Sequence, residues 1–246
     1  MIAEVLVGLG RWLVKDFRPA GREYFARRAW NPTRYDRSTL GGPEIEDNER
    51  RVVELIEKYA QDAQRTVEFG CGPGDYLKAV AKYTPAPEIV GVDVSAKALE
   101  LAKRRVNDPR LHLVQGDFWA DLEIDQADVV ICVGAIHHLG RVREVIDRLR
   151  TFVKPGGVLI GNVWTMDHYH EYQRNVHGSL RHLGRSVLFL ANAIALRATD
   201  GRRFRWGSYR SQILYSHQVD DILRDLSEEI LYRSNTRYIT GFAIRC

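Results

Sequence analysis

The stretch Thr66-Val67-Glu68-Phe69-Gly70-Cys71-Gly72-Pro73-Gly74-Asp75 decides the fold. An apolar strand pattern runs directly into three glycines at spacing i, i+2 and i+4, and a helical pattern follows. Glycine lets the backbone turn sharply and lets a ligand approach where a Cβ would block it. The helix that follows begins with free backbone N–H groups. A strand, a glycine loop and a helix in this order are typical of a nucleotide-binding α/β unit.

The alternation of strand-like and helical segments continues along the chain from this point. Strand-like runs lie at 65–70, 88–94, 110–115, 127–133 and 157–163, and helical patterns separate them at 74–83, 95–106 and 141–152. Strands that alternate with helices of about ten residues predict βαβ units and a parallel sheet. Because the run 127–133 is apolar almost throughout, we expect helices on both faces of this sheet.

Two segments depart from this alternation of strands and helices. Residues 1–18 carry apolar side chains at helical spacing, and residues 166–198 predict one long helix, or two with a break near Gly184. After them we expect a helix at 217–226 and a hairpin of two strands, at 228–234 and 237–245, joined by about two residues. We therefore expect an N-terminal helical segment or lid over residues 1–43 and a main domain over 44–246. Within the main domain, a helical cap covers about 165–212.

The glycine spacing separates two classes of nucleotide site. A dinucleotide fingerprint needs a glycine five places after Gly70, where this chain has Asp75, and no G-x-x-x-x-G-K-[ST] phosphate loop is present. Glu68 stands two residues before the first glycine. A carboxylate at that place would repel a pyrophosphate and would attract an ammonium or sulfonium group. The loop therefore indicates a cationic nucleoside ligand.

Acids follow the next two strands. Asp93 ends the second strand-like run, 19 residues after Gly74, where a carboxylate can accept hydrogen bonds from both hydroxyls of a ribose. A helix N-cap is the alternative role for Asp93, although Ser95 suits that role better. Asp117 follows the third run and precedes Phe118, so the pair suits an adenine amino group and ring. A turn with a core phenylalanine is the alternative there.

These residues resemble one family. Glu68-x-Gly70-x-Gly72-x-Gly74, Asp93, Asp117, the strand end 132–139 and the turn 153–157 look like the motifs of class I S-adenosylmethionine-dependent methyltransferases of the small-molecule type. The resemblance covers 65–163 well and 217–245 in outline. It implies a Rossmann-like, doubly wound, seven-stranded α/β sheet that is mostly parallel with an antiparallel last strand, and a helical insertion after the fifth strand.

The resemblance also implies the cofactor and its contacts. S-adenosylmethionine would leave as S-adenosylhomocysteine. Glu68 and the glycine loop would hold the methionine part, Asp93 the ribose, and Asp117 with Phe118 the adenine. The full set of cofactor residues implied in this way is Glu68, Gly70, Cys71, Gly72, Gly74, Asp93, Val94, Gly116, Asp117, Phe118 and Val133.

The predicted chemistry needs few catalytic groups. Methyl transfer is an in-line displacement at an activated carbon, so the protein must chiefly align the acceptor and exclude water. A hydroxyl acceptor, or an amine that is protonated at neutral pH, additionally needs a general base. His137 and His138 follow the fourth strand, where ligands collect in open parallel sheets. We expect one of them to be that base, and packing against the fold or the cofactor is the alternative.

The sequence indicates the methyl acceptor less clearly than the cofactor. Aromatic side chains concentrate in the N-terminal segment and in the insertion, and an aromatic lining suits a small hydrophobic or aromatic metabolite methylated at O, N or C. Packing between helices is the alternative role for each ring. The substrate-binding candidates are Tyr24, Tyr35, Trp164, His168, Tyr169, Trp206 and Tyr209.

Two further functions remain open at this stage. Arginines interleaved with aromatic residues over 197–210 can bind single-stranded nucleic acid, which would make the protein a tRNA- or RNA-modifying methyltransferase. A net charge of only +4 argues against that partner. A cofactor-binding subunit without catalysis is the other alternative. His170 and His177 share a helical face, but no third ligand is clearly placed, so we expect no metal site.

Composition sets the outer limits. The chain has 246 residues, 45% of them hydrophobic and 28% charged, which suits one folded α/β domain with an insertion and excludes a mostly disordered chain. Three cysteines without a CxxC pair exclude a disulfide scaffold and favour the cytoplasm. No apolar run reaches a membrane span, and no signal-peptide pattern is present. Residues 1–18 could contact a membrane surface peripherally, and the oligomeric state, a homodimer included, stays open.

Overall fold

The computed structural model describes residues 1–14, 43–199, 214–227 and 229–246. Its centre is a seven-stranded sheet in the order β3-β2-β1-β4-β5-β7-β6. The strands are β1 (Arg65–Phe69), β2 (Glu88–Asp93), β3 (Leu111–Gln115), β4 (Ala127–Cys132), β5 (Val153–Trp164), β6 (Glu229–Asn235) and β7 (Ile239–Arg245).

Strand direction confirms the predicted topology. The pairs β3–β2, β2–β1, β1–β4 and β4–β5 are parallel, whereas β7 is antiparallel to both of its neighbours, β5 and β6. The last strand is therefore the one that is reversed. The hairpin that forms it has a three-residue connection over 236–238, one residue longer than predicted, and Thr236 N donates to Ile239 O across it at 2.9 Å.

Helices surround the sheet and follow the predicted pattern closely. They are α1 (Ile2–Val14), α2 (Pro43–Tyr59), α3 (Asp75–Tyr83), α4 (Ala96–Val106), α5 (Ile136–Leu139), α6 (Val142–Thr151), α7 (Tyr169–His177), α8 (Ser179–Ala198) and α9 (Ser216–Leu226).

The long insertion helix breaks at a different glycine from the one expected. The break falls at Gly178, between α7 and α8, and not near Gly184. Gly178 has φ +75° and ψ 156°, a conformation that only glycine adopts readily, whereas Gly184 lies inside the continuous helix α8. The short helix α5 was not predicted, because four residues are too few to show a helical period.

The core divides into two apolar layers, one on each face of the sheet. Alternate residues of β1 point to opposite layers, so that Val67 and Phe69 join one layer with α6 and α9. Ile56 of α2 and Leu77 of α3 join the other layer. Coverage of both faces explains why the central strands are apolar almost throughout.

Chain connectivity creates a crevice at the carboxyl ends of the strands. From β1, the sheet continues to β2 and β3 on one side and to β4 and β5 on the other, so the strand order reverses between β1 and β4. Open α/β sheets bind ligands at such a switch point. The glycine loop that follows β1 lies at this edge, and Gly70 N and Cys71 N donate to Val92 O at 2.8 and 3.1 Å.

The N-terminal helix packs on the insertion after β5. Val14 of α1 clusters with Ala193 and Leu196 of α8. Near the other end of α1, the Glu4 carboxylate accepts from Arg174 of α7 at 3.0 Å. The N-terminal segment and the insertion therefore form one helical layer beside the end of β5. Their roles as lid and cap remain predictions, since 15–42 and 200–213 lie outside the described residues. Among the residues described, no helix is both long and apolar enough to cross a membrane.

The conformation of the glycine loop gives a stability prediction. Gly74 has φ +87°, and a Cβ there would lie 3.0 Å from the Cβ and 3.1 Å from the Cα of Ala102 in α4. We expect Gly74→Ala to lower the free energy of unfolding by about 2–3 kcal/mol, through backbone strain and crowding together. Gly156→Ala is the matched control, because Gly156 also has positive φ (+78°) but would have no atom within 4 Å of its Cβ. Urea unfolding of both variants tests this, and equal losses would show that the contact with Ala102 does not matter.

Candidate active site

Three residues of the glycine loop have no side chain, and all three adopt a left-handed backbone conformation. Gly70, Gly72 and Gly74 all have positive φ, of 69°, 53° and 87°. A Cβ on Gly70 would lie 2.5 Å from the Cβ of Ala135, which belongs to the loop that follows β4. The two loops therefore approach each other so closely that only glycine fits, and they border the switch point together.

Asp93 ties this loop to the end of β2. One carboxylate oxygen, Oδ2, accepts from Gly72 N at 2.9 Å, and the other, Oδ1, accepts from Ser95 N at 2.8 Å. Each oxygen keeps a further lone pair for a ligand. Burial raises the pKa of Asp93, and the backbone hydrogen bonds oppose that rise. The N-cap of α4 is Ser95, whose Oγ accepts from Ala98 N at 3.3 Å, so Asp93 is not used as the cap.

Negative charge collects beneath the loop. Glu68 is buried, with 1% of its surface exposed, and therefore lies under the loop instead of at an open rim. The pKa of the Cys71 thiol is raised first by burial and then by the charges of Glu68 and Asp93. Burial and Glu68 likewise raise the pKa of Cys132, which lies at the end of β4. Negative charge at this place would favour a cationic ligand over a pyrophosphate, and that preference stays a prediction.

The loop after β3 carries Asp117, which is half-buried and accepts from Trp119 N at 3.2 Å. Phe118 is buried in the core, in edge contact with Phe69 at 5.5 Å between ring centroids, and under the guanidinium of Arg148. These are the contacts of a core phenylalanine, which was the alternative role for Phe118. The contact of Asp117 with an adenine amino group stays a prediction.

The remaining predicted cofactor residues lie on the same edge. Gly116 N donates to Asp93 O at 3.1 Å, which joins the ends of β2 and β3. The carbonyl of Val94 accepts from Gln115 Nε2 at 3.4 Å, and Val133 is buried at the end of β4. The structure thus brings together the strand ends that carry all of the predicted cofactor residues.

Two residues that the sequence did not single out hold the loop after β4. The buried side chain of Asn162 accepts from Gly134 N through Oδ1 at 2.7 Å. Trp119 donates from Nε1 to Leu139 O at 2.6 Å, which fixes the end of α5. A buried asparagine inside a long apolar strand was the signal available in the sequence for Asn162.

The helix α5 places the two histidines differently. His137 is buried, with 2% exposed, whereas His138 is half-buried, and their ring centroids lie 4.1 Å apart. His137 also meets Trp164 at the end of β5, with ring centroids 6.5 Å apart. Of the pair, His138 therefore has the more accessible ring.

An aromatic row continues from Trp164 towards the insertion. Its ring lies 5.1 Å from that of Tyr172, which in turn lies 4.9 Å from that of Tyr238. Neither tyrosine was among the predicted site residues, because one lies inside a helix and the other in a hairpin turn, 66 positions apart in the sequence. Together with His137, the row forms one side of the region beyond the ends of β4 and β5.

The other predicted substrate residues fall into two groups. Tyr169 packs with Val7 of α1 and Met166, whereas His168 is exposed and its Nδ1 lies 3.2 Å from Glu171 Oε2. The substrate roles of both residues stay predictions. Tyr24, Tyr35, Trp206 and Tyr209 lie outside the described residues, as does the arginine and aromatic stretch 197–210 beyond residue 199.

The insertion brings two of its histidines into contact. His170 Nδ1 lies 3.1 Å from His182 Nε2 of α8, so His182 is the close partner of His170. Burial, followed by the charges of His170 and Arg174, lowers the pKa of His182 to about 4. Within the ranges that the structure describes, no three His, Cys, Asp or Glu side chains form a cluster that could hold a metal ion.

Comparison with known proteins agrees with this geometry. Residues 67–159 match a family model described as a methyltransferase domain. A trans-aconitate 2-methyltransferase of Paracidovorax citrulli is 31% identical over 134 residues, which is 53% of this chain and 48% of that protein. A malonyl-[acyl-carrier protein] O-methyltransferase of Halalkalibacterium halodurans is 26% identical over 165 residues, 61% of each chain. The chain thus spans between about half and three fifths of these relatives' length.

The fold has solved counterparts. The N-methyltransferase NodS of Bradyrhizobium japonicum, determined with S-adenosylhomocysteine, superimposes with a TM-score of 0.60 at 14% identity, over 92% of this chain and 97% of NodS. At that identity the likeness concerns the fold alone. Residues 67–159 therefore carry a methyltransferase domain, within a sheet whose strand order and reversed β7 are those that the resemblance implied.

Proposed function

We propose that this protein transfers a methyl group from S-adenosylmethionine to a small molecule. The observation that carries the proposal is the position of Asp93, held between Gly72 N of the glycine loop and Ser95 N of α4 with lone pairs left for a ligand. The bare glycine backbone and the negative charge of Glu68 and Asp93 suit a nucleoside with a positive charge. When bound, the cofactor supplies a methyl group on a sulfonium centre.

Different residues of this chain would then bind different parts of the cofactor. We assign Asp93 to the ribose hydroxyls, the backbone of 70–74 with Glu68 beneath it to the methionine part, and Asp117 to the adenine. Phe118 would support the adenine site from the core, since its ring packs against Phe69. Because Asn162 and Trp119 fix the loop after β4, they would act as positioning residues for that side of the site.

The acceptor is proposed to be a small molecule with an apolar or aromatic part. The row formed by His137, Trp164, Tyr172 and Tyr238 supports an apolar contact surface beyond β4 and β5. The two relatives named above take their names from an acid, trans-aconitate, and from an acyl group that ends in a carboxyl, malonyl. A carboxylate acceptor needs no base at neutral pH, whereas a hydroxyl acceptor does. We assign the base role, where one is needed, to His138.

Asp93 gives the first test. We expect Asp93→Asn to weaken S-adenosylmethionine binding by on the order of a hundredfold, because two charge-assisted hydrogen bonds to the ribose become weaker or are lost. Isothermal titration calorimetry measures the affinity, and circular dichroism checks the fold. Ser95→Ala is the control: it removes the cap of α4 but should bind with near wild-type affinity. Unchanged affinity in Asp93→Asn would refute the ribose assignment.

The raised pKa of Asp93 adds a pH dependence to this test. Burial raises that pKa above its usual value, so the carboxyl becomes protonated as the pH falls, at a higher pH than an exposed aspartate would. Cofactor affinity should therefore fall with acid in the wild type, and this dependence should be absent in Asp93→Asn. Equal pH profiles would show that another group titrates.

His138 gives a second test, in two parts. If His138 is a base, His138→Ala should lower kcat by roughly a hundredfold or more while the Kd for the cofactor stays the same. The acidic limb of the pH–rate profile should also disappear. His137→Ala is the comparison, because a buried ring supports packing and its loss should reduce stability first. An unchanged kcat in His138→Ala would favour a carboxylate acceptor.

The substrate class can be tested directly with methyl-labelled cofactor. We expect the purified protein to transfer label into an organic-soluble extract of cells and not into total RNA. Asp93→Asn serves as the background control in both incubations. Mass spectrometry of the labelled compound would identify the acceptor. Label in RNA would instead support the RNA-modifying alternative, and no label in either fraction, with cofactor binding intact, would support a non-catalytic subunit.

A further inference from the structure

Helix α8 carries apolar side chains on both of its faces. Its inward face buries Ala193 and Leu196 against α1, and three polar side chains are buried beside them. Its outward face carries Leu180, Val187 and Ile194, which are 86%, 50% and 53% exposed. Helices on soluble domains normally turn their apolar stripe to the core. The outward stripe of α8 therefore needs an explanation outside the described fold.

The outward residues form one continuous stripe. Leu180, Val187 and Ile194 are spaced seven residues apart, so they lie close to one line along the helix, and the exposed Leu188 widens it. Leu180 and Ile194 lie 14 residues apart, which gives a stripe roughly 21 Å long. Isolated exposed leucines are common on proteins, but an aligned row of this length indicates a contact surface.

The charged side chains of α8 itself are all arginines. Arg181 and Arg185 are exposed and follow the stripe along one side, and neither forms an ion pair within the described part of the chain. Arg197 stands near the carboxyl end, and the sequence from 179 to 198 contains no aspartate or glutamate. An apolar stripe beside Arg181 and Arg185 complements a surface that is apolar below and negative at its rim.

This charge pattern argues against a second copy of the chain as the occupant. In a symmetric dimer the same face meets itself, so the arginines of one α8 would approach those of the other with no acid on either helix. An anionic lipid bilayer matches both features at once. We propose that α8 lies along the surface of an anionic membrane, with Leu180, Val187 and Ile194 inserted among the acyl chains and Arg181 and Arg185 at the phosphates.

The proposal is independent of the methyl acceptor, and co-sedimentation of the full chain with lipid vesicles tests it. We expect binding to vesicles of mixed phosphatidylcholine and phosphatidylglycerol, much weaker binding to phosphatidylcholine alone, and release at high salt. No binding, or equal binding to both vesicle types, would overturn the proposal.

The charge contribution is tested by a pair of double variants with the same net charge. Arg181→Gln/Arg185→Gln should lower the partition onto anionic vesicles by on the order of tenfold. Arg104→Gln/Arg224→Gln removes two exposed arginines elsewhere, which pair with Glu100 and Asp221, and should leave the partition nearly unchanged. An equal loss in both would show that only net charge matters and would refute a role for α8.

The apolar contribution is tested in the same assay. Leu180→Asn/Val187→Asn/Ile194→Asn should reduce binding at least tenfold without loss of folded structure, since all three side chains are exposed. The comparison is Ile2→Asn/Val5→Asn/Leu9→Asn on α1, whose exposed apolar row lies opposite the face that packs on α8. Loss of binding in the α1 variant alone would overturn the proposal. So would sedimentation velocity showing a dimer that only the α8 variant dissociates, without lipid binding.

Discussion

The carboxylate of Asp93 is the interaction on which the candidate site depends. Its two oxygens accept from Gly72 N and Ser95 N, while its own backbone carbonyl accepts from Gly116 N. One residue thus joins the glycine loop, the start of α4 and the end of β3. Glycine adopts left-handed conformations without strain, so this junction needs only to hold the loop in place, and burial raises the pKa of the same carboxyl. Asp93 therefore contributes both to the geometry of the glycine loop and to the proposed binding of the cofactor.

The loop after β4 is held by a different kind of contact. Neither Asn162 nor Trp119 belongs to that loop, yet their side chains bind its backbone at Gly134 and Leu139. The two histidines of α5 therefore take their positions from β5 and from the loop after β3. As a result, His137 is buried against Trp164 while His138 keeps an accessible ring. A site built this way depends on strand spacing, because the loop after β4 is anchored both to the neighbouring strand β5 and to the loop after β3, which lies three strands away.

Sequence predicted the sheet and the glycine loop after β1 well, because those depend on local period and on loop glycines. The reversed β7 and the N-cap role of Ser95 are confirmed in the structure. Contacts between distant segments were not predictable: Trp164, Tyr172 and Tyr238 meet only after the hairpin folds back on β5. The helix break at Gly178 was missed because two glycines six residues apart look alike in a helical pattern, and only backbone conformation separates them.

The insertion shows why periodicity alone could not assign its faces. Its period was correct, but α8 is apolar on both sides: Ala193 and Leu196 are buried against α1, and His182 is buried on the same side beside His170. With its pKa lowered to about 4, His182 is neutral at neutral pH, so the pair shares a hydrogen bond between two uncharged rings. Neutral, hydrogen-bonded imidazoles can be buried at little cost, so polar side chains are tolerated among the apolar ones of the inward face. The outward apolar stripe beside Arg181 and Arg185 takes no part in that packing, and an external surface explains it better than packing within the described residues does.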